Sequence, residues 1–271
     1  MRRTLVAVCM TVLTAPAAFA APCITSQGAF PSYKQALSQQ ASAAGVGQRG
    51  LQALQSAQLS GITWRFESSP SSQSGVSYSD PSNFLAKRSG SSAQAFINQV
   101  SSRISSNANL FSSLEQSYGV PGSVLATIWG LETSFGGYLG GTSIVDGAVT
   151  LASYCRRHPR FEDAAIAALQ LVDRGVITPG TQGGPSGELG HMQFLASNWA
   201  QFGVDANGDG RADPYNATDA LASAANMLRR NGWQPGQPFT EGTRNFQVLS
   251  AWNDSGNYQR AIAYAASRAG G

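Results

Sequence analysis

The sequence predicts a mainly α-helical fold. Three observations carry this. Apolar residues recur at three- and four-residue spacing over most of the chain, no convincing set of alternating strands interrupts them, and residues 118–137 form an apolar segment with a helix start signal at one end and a stop signal at the other. In that segment Pro121 suits a first helical turn, where its missing N–H costs nothing, and Gly136 and Gly137 suit the left-handed conformation that closes a helix. Val124, Leu125, Ile128, Leu131 and Phe135 are expected to form its apolar stripe.

Glu132 falls on that stripe, four residues after Ile128. A carboxyl group there loses hydration, and the nearby helix C-terminus pushes its pKa the same way. An acid that stays protonated near neutral pH can give its proton to a leaving group. The same spacing also describes a Glu at the edge of the stripe with its head in water, and the pattern leaves both readings open.

The other elements follow in chain order. Residues 1–20 read as a cleaved export signal. Arg2 and Arg3 open it, an apolar run follows, and Ala18-Phe19-Ala20 presents small residues before Ala21. The apolar run is too short to span a bilayer, and no stable membrane insertion is expected. Residues 32–59 read as helical, with Tyr33, Leu37, Val46, Leu51, Leu54 and Leu59 as core candidates; Gly45-Val-Gly-Gln-Arg-Gly50 inside them reads as a helix–helix turn, because no strand precedes it. Residues 68–92 carry 11 Ser among 25 residues, with Pro70 and Pro81, and read as an extended arm or flexible connection, pinned by Tyr78 and Phe84. Helices are expected over 93–118, 143–151, 161–174, 219–230 and 257–268. The expected organisation is a signal at 1–20, a helical segment with a Ser-rich arm at 21–92, and a catalytic domain at 93–271.

Composition narrows the chemistry. The 271 residues are 42% hydrophobic and 12% charged, and the formal charge is +3. Without Arg2 and Arg3 there are 16 Lys and Arg against 15 Asp and Glu, a net charge of +1, so nucleic acid is not an expected partner. Cys9 lies in the signal, which leaves Cys23 and Cys155; in an oxidising compartment the two are expected to pair. His158 and His191 are the only histidines and stand far apart, which disfavours a zinc cluster or a Ser-His-Asp triad. No nucleotide-binding motif is present, and no organic cofactor is expected.

Two further stretches carry chemistry. In Asp205-Ala-Asn207-Gly-Asp209-Gly210-Arg211, oxygen side chains occupy positions 1, 3 and 5 and glycine position 6, as in the front half of an EF-hand calcium loop. Arg211 would offer its carbonyl. Asn216 stands at position 12, where the bidentate Glu is expected, and the carboxylate arrives three residues later at Asp219. A longer, EF-hand-like calcium loop closed by Asp219 and an ion-free Asn-Gly/Asp-Gly turn both satisfy this spacing. In 183–194, abundant glycine allows close approach of a ligand, Gln193 offers a donor and an acceptor, and Ser186 and Glu188 add polar groups; a plain surface loop has the same composition. Trp252-Asn253 pairs a stacking surface with an amide, as a sugar subsite would, or is a core Trp beside a turn Asn.

Together these motifs resemble the lytic murein transglycosylases of the membrane-bound lytic transglycosylase B type. The carriers are Tyr118-Gly-Val-Pro, Gly130-Leu-Glu132-Thr-Ser-Phe-Gly136, Cys155-Arg-Arg, Gly187-Glu-Leu-Gly-His-Met-Gln-Phe194, the Asp205 loop and Trp252-Asn253-Asp-Ser. The resemblance runs from about Cys23 to the C-terminus and is dense over 118–233. It implies a lysozyme-like catalytic core, a structural calcium ion and cleavage of the MurNAc-β-1,4-GlcNAc bond of peptidoglycan by a monomeric periplasmic enzyme. It implies Glu132 as the catalytic acid, Gln193 and Asn253 as glycan-binding residues, and Asp205, Asn207, Asp209, Arg211 and Asp219 as metal-binding positions. Trp252 falls where some relatives carry Tyr, and Gly184-Pro-Ser186-Gly departs from the family's usual Ser-aromatic-Ala-Gly. The alternatives are a hydrolytic muramidase, which would need a second carboxyl group such as Glu188, and a non-catalytic peptidoglycan-binding protein.

Overall fold

A computed structural model describes residues 21–69 and 80–270. The export signal, Cys9, Pro70 and Tyr78 lie outside the described residues. The described chain is helical, with one two-residue antiparallel ladder, β1 (Thr142–Ser143) against β2 (Gln182–Gly183), in the register Thr142↔Gly183.

The apolar segment becomes α7 (Gly122–Thr133), and it is buried on every side rather than along one stripe. It packs against α4 (Pro81–Ser89), α5 (Ala93–Ser106), α6 (Ala108–Tyr118), α11 (Ala217–Arg230) and α13 (Gly256–Ala269). A helix enclosed in this way needs no polar face, which is why Ser123 and Thr127 are as buried as Leu125 and Ile128. Its ends differ from expectation. Tyr118 belongs to α6, which Gly119 closes at φ 70° with Pro235 packed where a side chain would stand. Pro121 is the N-cap of α7, not a first-turn residue. At the other end Ser134 and Phe135 take left-handed conformations before Gly136 does, and Ser134 N–H bonds the Gly130 carbonyl at 3.0 Å. Tertiary packing of Phe135 against Phe96 and Trp129 holds a conformation that glycine would otherwise supply.

A second group of helices packs around α8 (Ile144–Ser153) and α9 (Glu162–Asp173). It comprises α1 (Phe30–Ala43), α2 (Gln48–Ser56), α3 (Gly61–Ser68) and α10 (Ala196–Phe202). The expected helix over 32–59 breaks into α1 and α2 at the turn read from Gly45 to Gly50: Gly45 has φ 79° and Gly47 is the N-cap of α2. Tyr33, Leu37, Val46 and Leu54 are buried, and Leu51 and Leu59 are partly buried against the core. The helix over 93–118 likewise divides at Asn107.

The reading of 68–92 as an extended arm or flexible connection is corrected over its second half. Its second half is α4, with Asp80 accepting from Ser82 N–H, Pro81 at the first position and Gly90 in the left-handed conformation at the end. Those local start and stop signals outweigh a Ser-rich composition. Helices α3, α10 and α12 (Arg244–Val248) were also not expected; each is at most eight residues, too short for a helical period to show.

Cys23 and Cys155 are joined by a disulfide across a sequence separation of 132 residues. Beside it Ile24 N–H bonds the Ser153 carbonyl at 2.8 Å, so the start of the described chain is tied to the end of α8. Among the described residues no helix is long and apolar enough to cross a membrane.

Candidate active site

The two helical groups meet at a cleft of about 760 Å3. It is lined by residues of α3, α4, α7, α8 and α11, by residues 157–161 and 250–254, and by the loop 185–195. Glu132, Ser186, Glu188, Gln193, Trp252 and Asn253 all line this one cleft. Motifs separated by more than a hundred residues therefore converge.

Glu132 stands in the last turn of α7, half-buried. Tyr258 Oη donates to its Oε1 at 2.6 Å and Trp252 Nε1 donates to the same oxygen at 3.0 Å. With both bonds on Oε1, a proton is left to Oε2. Burial pushes the Glu132 carboxyl above its ordinary value; the Tyr258 and Trp252 hydrogen bonds and the Arg88 charge pull it down, and the Glu188 charge adds to the rise. This matches the direction expected from its place on an apolar helix. Such a group can release a proton to a bound oxygen and take one back at the same place.

Glu188 is held nearby. Its Oε2 accepts Ser186 N–H at 2.8 Å, and burial raises its pKa as well. Gly184 makes this packing possible, because a Cβ there would lie 2.3 Å from Glu188 Oε2 and 2.6 Å from Gln193 Oε1. Gln193 sits at φ 48°, just after the short 3-10 turn Gly190–Met192, and its amide donates to the carbonyls of Gly190 (2.9 Å) and Leu139 (3.2 Å). Its side chain lines the cleft. Asn253 accepts Ser255 N–H at 3.0 Å, so it serves the turn before α13 while lining the cleft. The Trp252 ring packs edge-on against Phe194 at 5.2 Å.

His191 is tied to α7. Its Nδ1 accepts from Trp129 Nε1 at 3.2 Å, its carbonyl accepts from Thr133 Oγ1 at 2.7 Å, and burial lowers its pKa.

Residues 29–242 match the family described as the transglycosylase SLT domain. The chain belongs to that family. It is similar to membrane-bound lytic murein transglycosylase B of Escherichia coli K12, with 34% identity over 123 residues, which is 45% of this chain and 34% of that one. The chain thus matches about a third of the length of this curated relative. Its fold is that of the crystal structure of SltB3 from Pseudomonas aeruginosa in complex with NAG-NAM-pentapeptide, with TM-score 0.76, 22% identity, and coverage of 89% of this chain and 80% of that one. It is also that of the Escherichia coli lytic transglycosylase Slt35 in complex with calcium, with TM-score 0.70, 21% identity, and coverage of 86% and 92%. The mainly α, lysozyme-like fold of the transglycosylases is therefore the fold of this chain.

The Asp205 loop joins α10 to α11. Asp205 accepts from the N–H groups of Gly208, Asp209 and Gly210, Asn207 Oδ1 accepts from Asp209 N–H, and Asp209 Oδ1 accepts from Arg211 N–H. Asp219, fully buried, folds back onto the head of the loop and accepts from Ala206, Asn207 and Asp213 N–H at 2.9, 3.1 and 3.0 Å. Asn216, which stands at the expected ligand position 12, is instead the N-cap of α11. The donors are all oxygen, as a hard cation requires, and the late carboxylate does reach the loop. Among the described residues, however, no three His, Cys, Asp or Glu side chains are grouped closely enough to hold an ion; the carboxylates are turned to backbone N–H groups.

Two residues that act on the Glu132 carboxyl escaped the sequence reading. Tyr258 of α13 touches Glu132, and no sequence motif marks it. Arg88 lines the cleft from α4, in a stretch read as an arm; the Asp80-Pro81 start and Gly90 stop would have located that helix, but nothing local aims Arg88 at Glu132.

Proposed function

We propose that the chain is an exported, periplasmic lytic transglycosylase that cleaves the MurNAc-β-1,4-GlcNAc bond of peptidoglycan and leaves 1,6-anhydro-MurNAc ends. The observation that carries this reading is Glu132 in the cleft, with its pKa raised by burial and two donors fixing one oxygen. Family membership supports the same reaction class. Residues 93–271 would supply the catalytic domain and residues 21–92 the N-terminal helices.

Protonated Glu132 gives its proton to the glycosidic oxygen as the C1–O bond breaks, and the muramic ring passes through an oxocarbenium-like state. The Glu132 carboxylate, stabilised by the Tyr258 and Trp252 donors, then takes the proton of the same sugar's 6-hydroxyl as that oxygen bonds to C1. One carboxyl group suffices, because the nucleophile is already held on the substrate. Ser186, Glu188, Gln193, Trp252 and Asn253 would bind the glycan. Mass spectrometry of digested sacculi is expected to give anhydro-muropeptides. Glu188 in the same cleft favours hydrolysis as the second reading, and reducing MurNAc ends with no anhydro product would establish it instead.

Tyr258→Phe tests the donor's role. Loss of the hydroxyl removes a bond that lowers the Glu132 pKa, so the alkaline limb of the pH–rate profile is expected to move to higher pH. The carboxylate also loses its stabilising donor, and kcat is expected to fall about tenfold. An unmoved profile would mean that Tyr258 only packs.

For the loop, the proposed ligands of a structural calcium ion are Asp205, Asn207, Asp209, the Arg211 carbonyl and Asp219. An ion there would draw together carboxylates that repel one another, and would add no chemistry to the cleft. At 100 times Kd it would stabilise by about 2.7 kcal/mol, and chelation is expected to lower Tm by roughly 5–10 °C. Identical Tm with and without chelator, together with an Asp209→Ala variant that is no less stable, would mean an ion-free turn.

A further inference from the structure

Outside the cleft, one titratable cluster has no part in the reaction just described. Glu162, the first residue of α9, is only 7% exposed. Its Oε1 is buried without a hydrogen-bond partner among the described residues. His158 Nδ1 faces that oxygen at 3.3 Å, the Tyr33 hydroxyl and the Gln40 side chain of α1 meet the same carboxylate, and Asp163 of α9 lies within electrostatic reach. The backbone N–H of Ala21 donates to the same carboxylate, and Ala21 is itself 1% exposed. A buried carboxylate is costly unless a cation meets it, and here burial pushes its pKa upward.

Ala21 is also the residue at which the sequence places signal cleavage. Hydrolysis of the Ala20–Ala21 peptide bond by a signal-peptidase-type enzyme consumes one water. It leaves a carboxylate on Ala20 and an amine on Ala21, which takes up a proton because its ordinary pKa is near 8, about 7.7–8.0. A single neutral N–H donor is thereby replaced, at the same point, by an ammonium group with three donors and a full charge. The Cys23–Cys155 disulfide and the Ile24 N–H bond to Ser153 hold it there.

We propose that Glu162 is the receptor for the α-ammonium group of processed Ala21, forming a buried ion pair that only the mature chain can make. Glu162 directly follows residues 157–161, which give Arg157, Arg160 and Phe161 to the cleft lining. Processing would therefore firm one side of the substrate cleft. The inference rests on reading residues 1–20 as a cleaved signal and is independent of the glycosidic chemistry.

The test compares the chain beginning at free Ala21 with the same chain N-acetylated at Ala21, each with and without Glu162→Gln. Acetylation is expected to lower Tm by about 3–6 °C, Glu162→Gln to abolish that difference, and the Ala21 amino group to titrate above its ordinary range by NMR only when Glu162 is present. The mass of the exported chain tests the processing reading separately and is expected to begin at Ala21. A different start overturns the inference through the cleavage site. A start at Ala21 with equal Tm for free and acetylated chains, or a Tm difference that survives Glu162→Gln, overturns the ion pair itself.

Discussion

Glu132→Gln is expected to reduce turnover of purified sacculi by about 1,000-fold or more, because general acid and general base assistance each contribute roughly 100- to 10,000-fold and one group is proposed to supply both. The amide keeps an acceptor for Tyr258 and Trp252, so the cleft should stay folded and glycan binding should persist. Stability gives a second, independent readout. The folded-state pKa of Glu132 is raised above its unfolded value, so its contribution to stability is fully present below the ordinary carboxylate pKa and is lost as pH rises through the raised one. The variant cannot ionise, and its Tm should fall less than that of the parent as pH rises above the ordinary carboxylate range. Full lytic activity in Glu132→Gln would remove the catalytic reading and leave a glycan-binding protein.

Removing the disulfide is expected to have the largest effect on stability. The bridge closes a loop of 132 residues, and on the chain-entropy model that restriction of the unfolded state contributes about 5 kcal/mol. For a chain of this size, Tm of a Cys23→Ser/Cys155→Ser variant should fall by roughly 10–15 °C. Cys155 begins the segment that carries Arg157, Arg160 and Phe161 to the cleft. Arg157 is fixed there by Glu67, with Nε to Oε2 at 2.8 Å, and Glu67 also pairs with Arg156. The variant should therefore show a raised KM for glycan as well as a lower Tm. Thermal melting and initial rates on the same preparation check both. An unchanged Tm would mean that the Glu67 ion pairs and the packing of Ile24 already hold the segment without the bridge.

Much of the fold was legible because helices are local. Spacing alone marks the helix over 219–230 that becomes α11, and the Gly45–Gly50 turn marks the break between α1 and α2. The boundaries that failed did so where two signals competed. Composition suggested an arm over 68–92, yet Asp80, Pro81 and Gly90 cap a real helix within it. The left-handed residues Ser134 and Phe135 carry no sequence signal at all, since aromatic packing and not glycine holds them.

The site divides in the same way. The sequence by itself determined the helical class, the residues of the Asp205 loop, the pairing of Cys23 with Cys155 and an acid on an apolar helix, because each depends on near neighbours or on the count of one residue type. Only the tertiary structure decided that α7 is enclosed on all sides, that Tyr258 reaches Glu132 across 126 residues of chain, and that Arg88 and Glu188 share its cleft. A carboxyl's proton affinity is set by the charges and donors that surround it in space, and those are brought together by packing between elements, about which spacing along the chain says nothing.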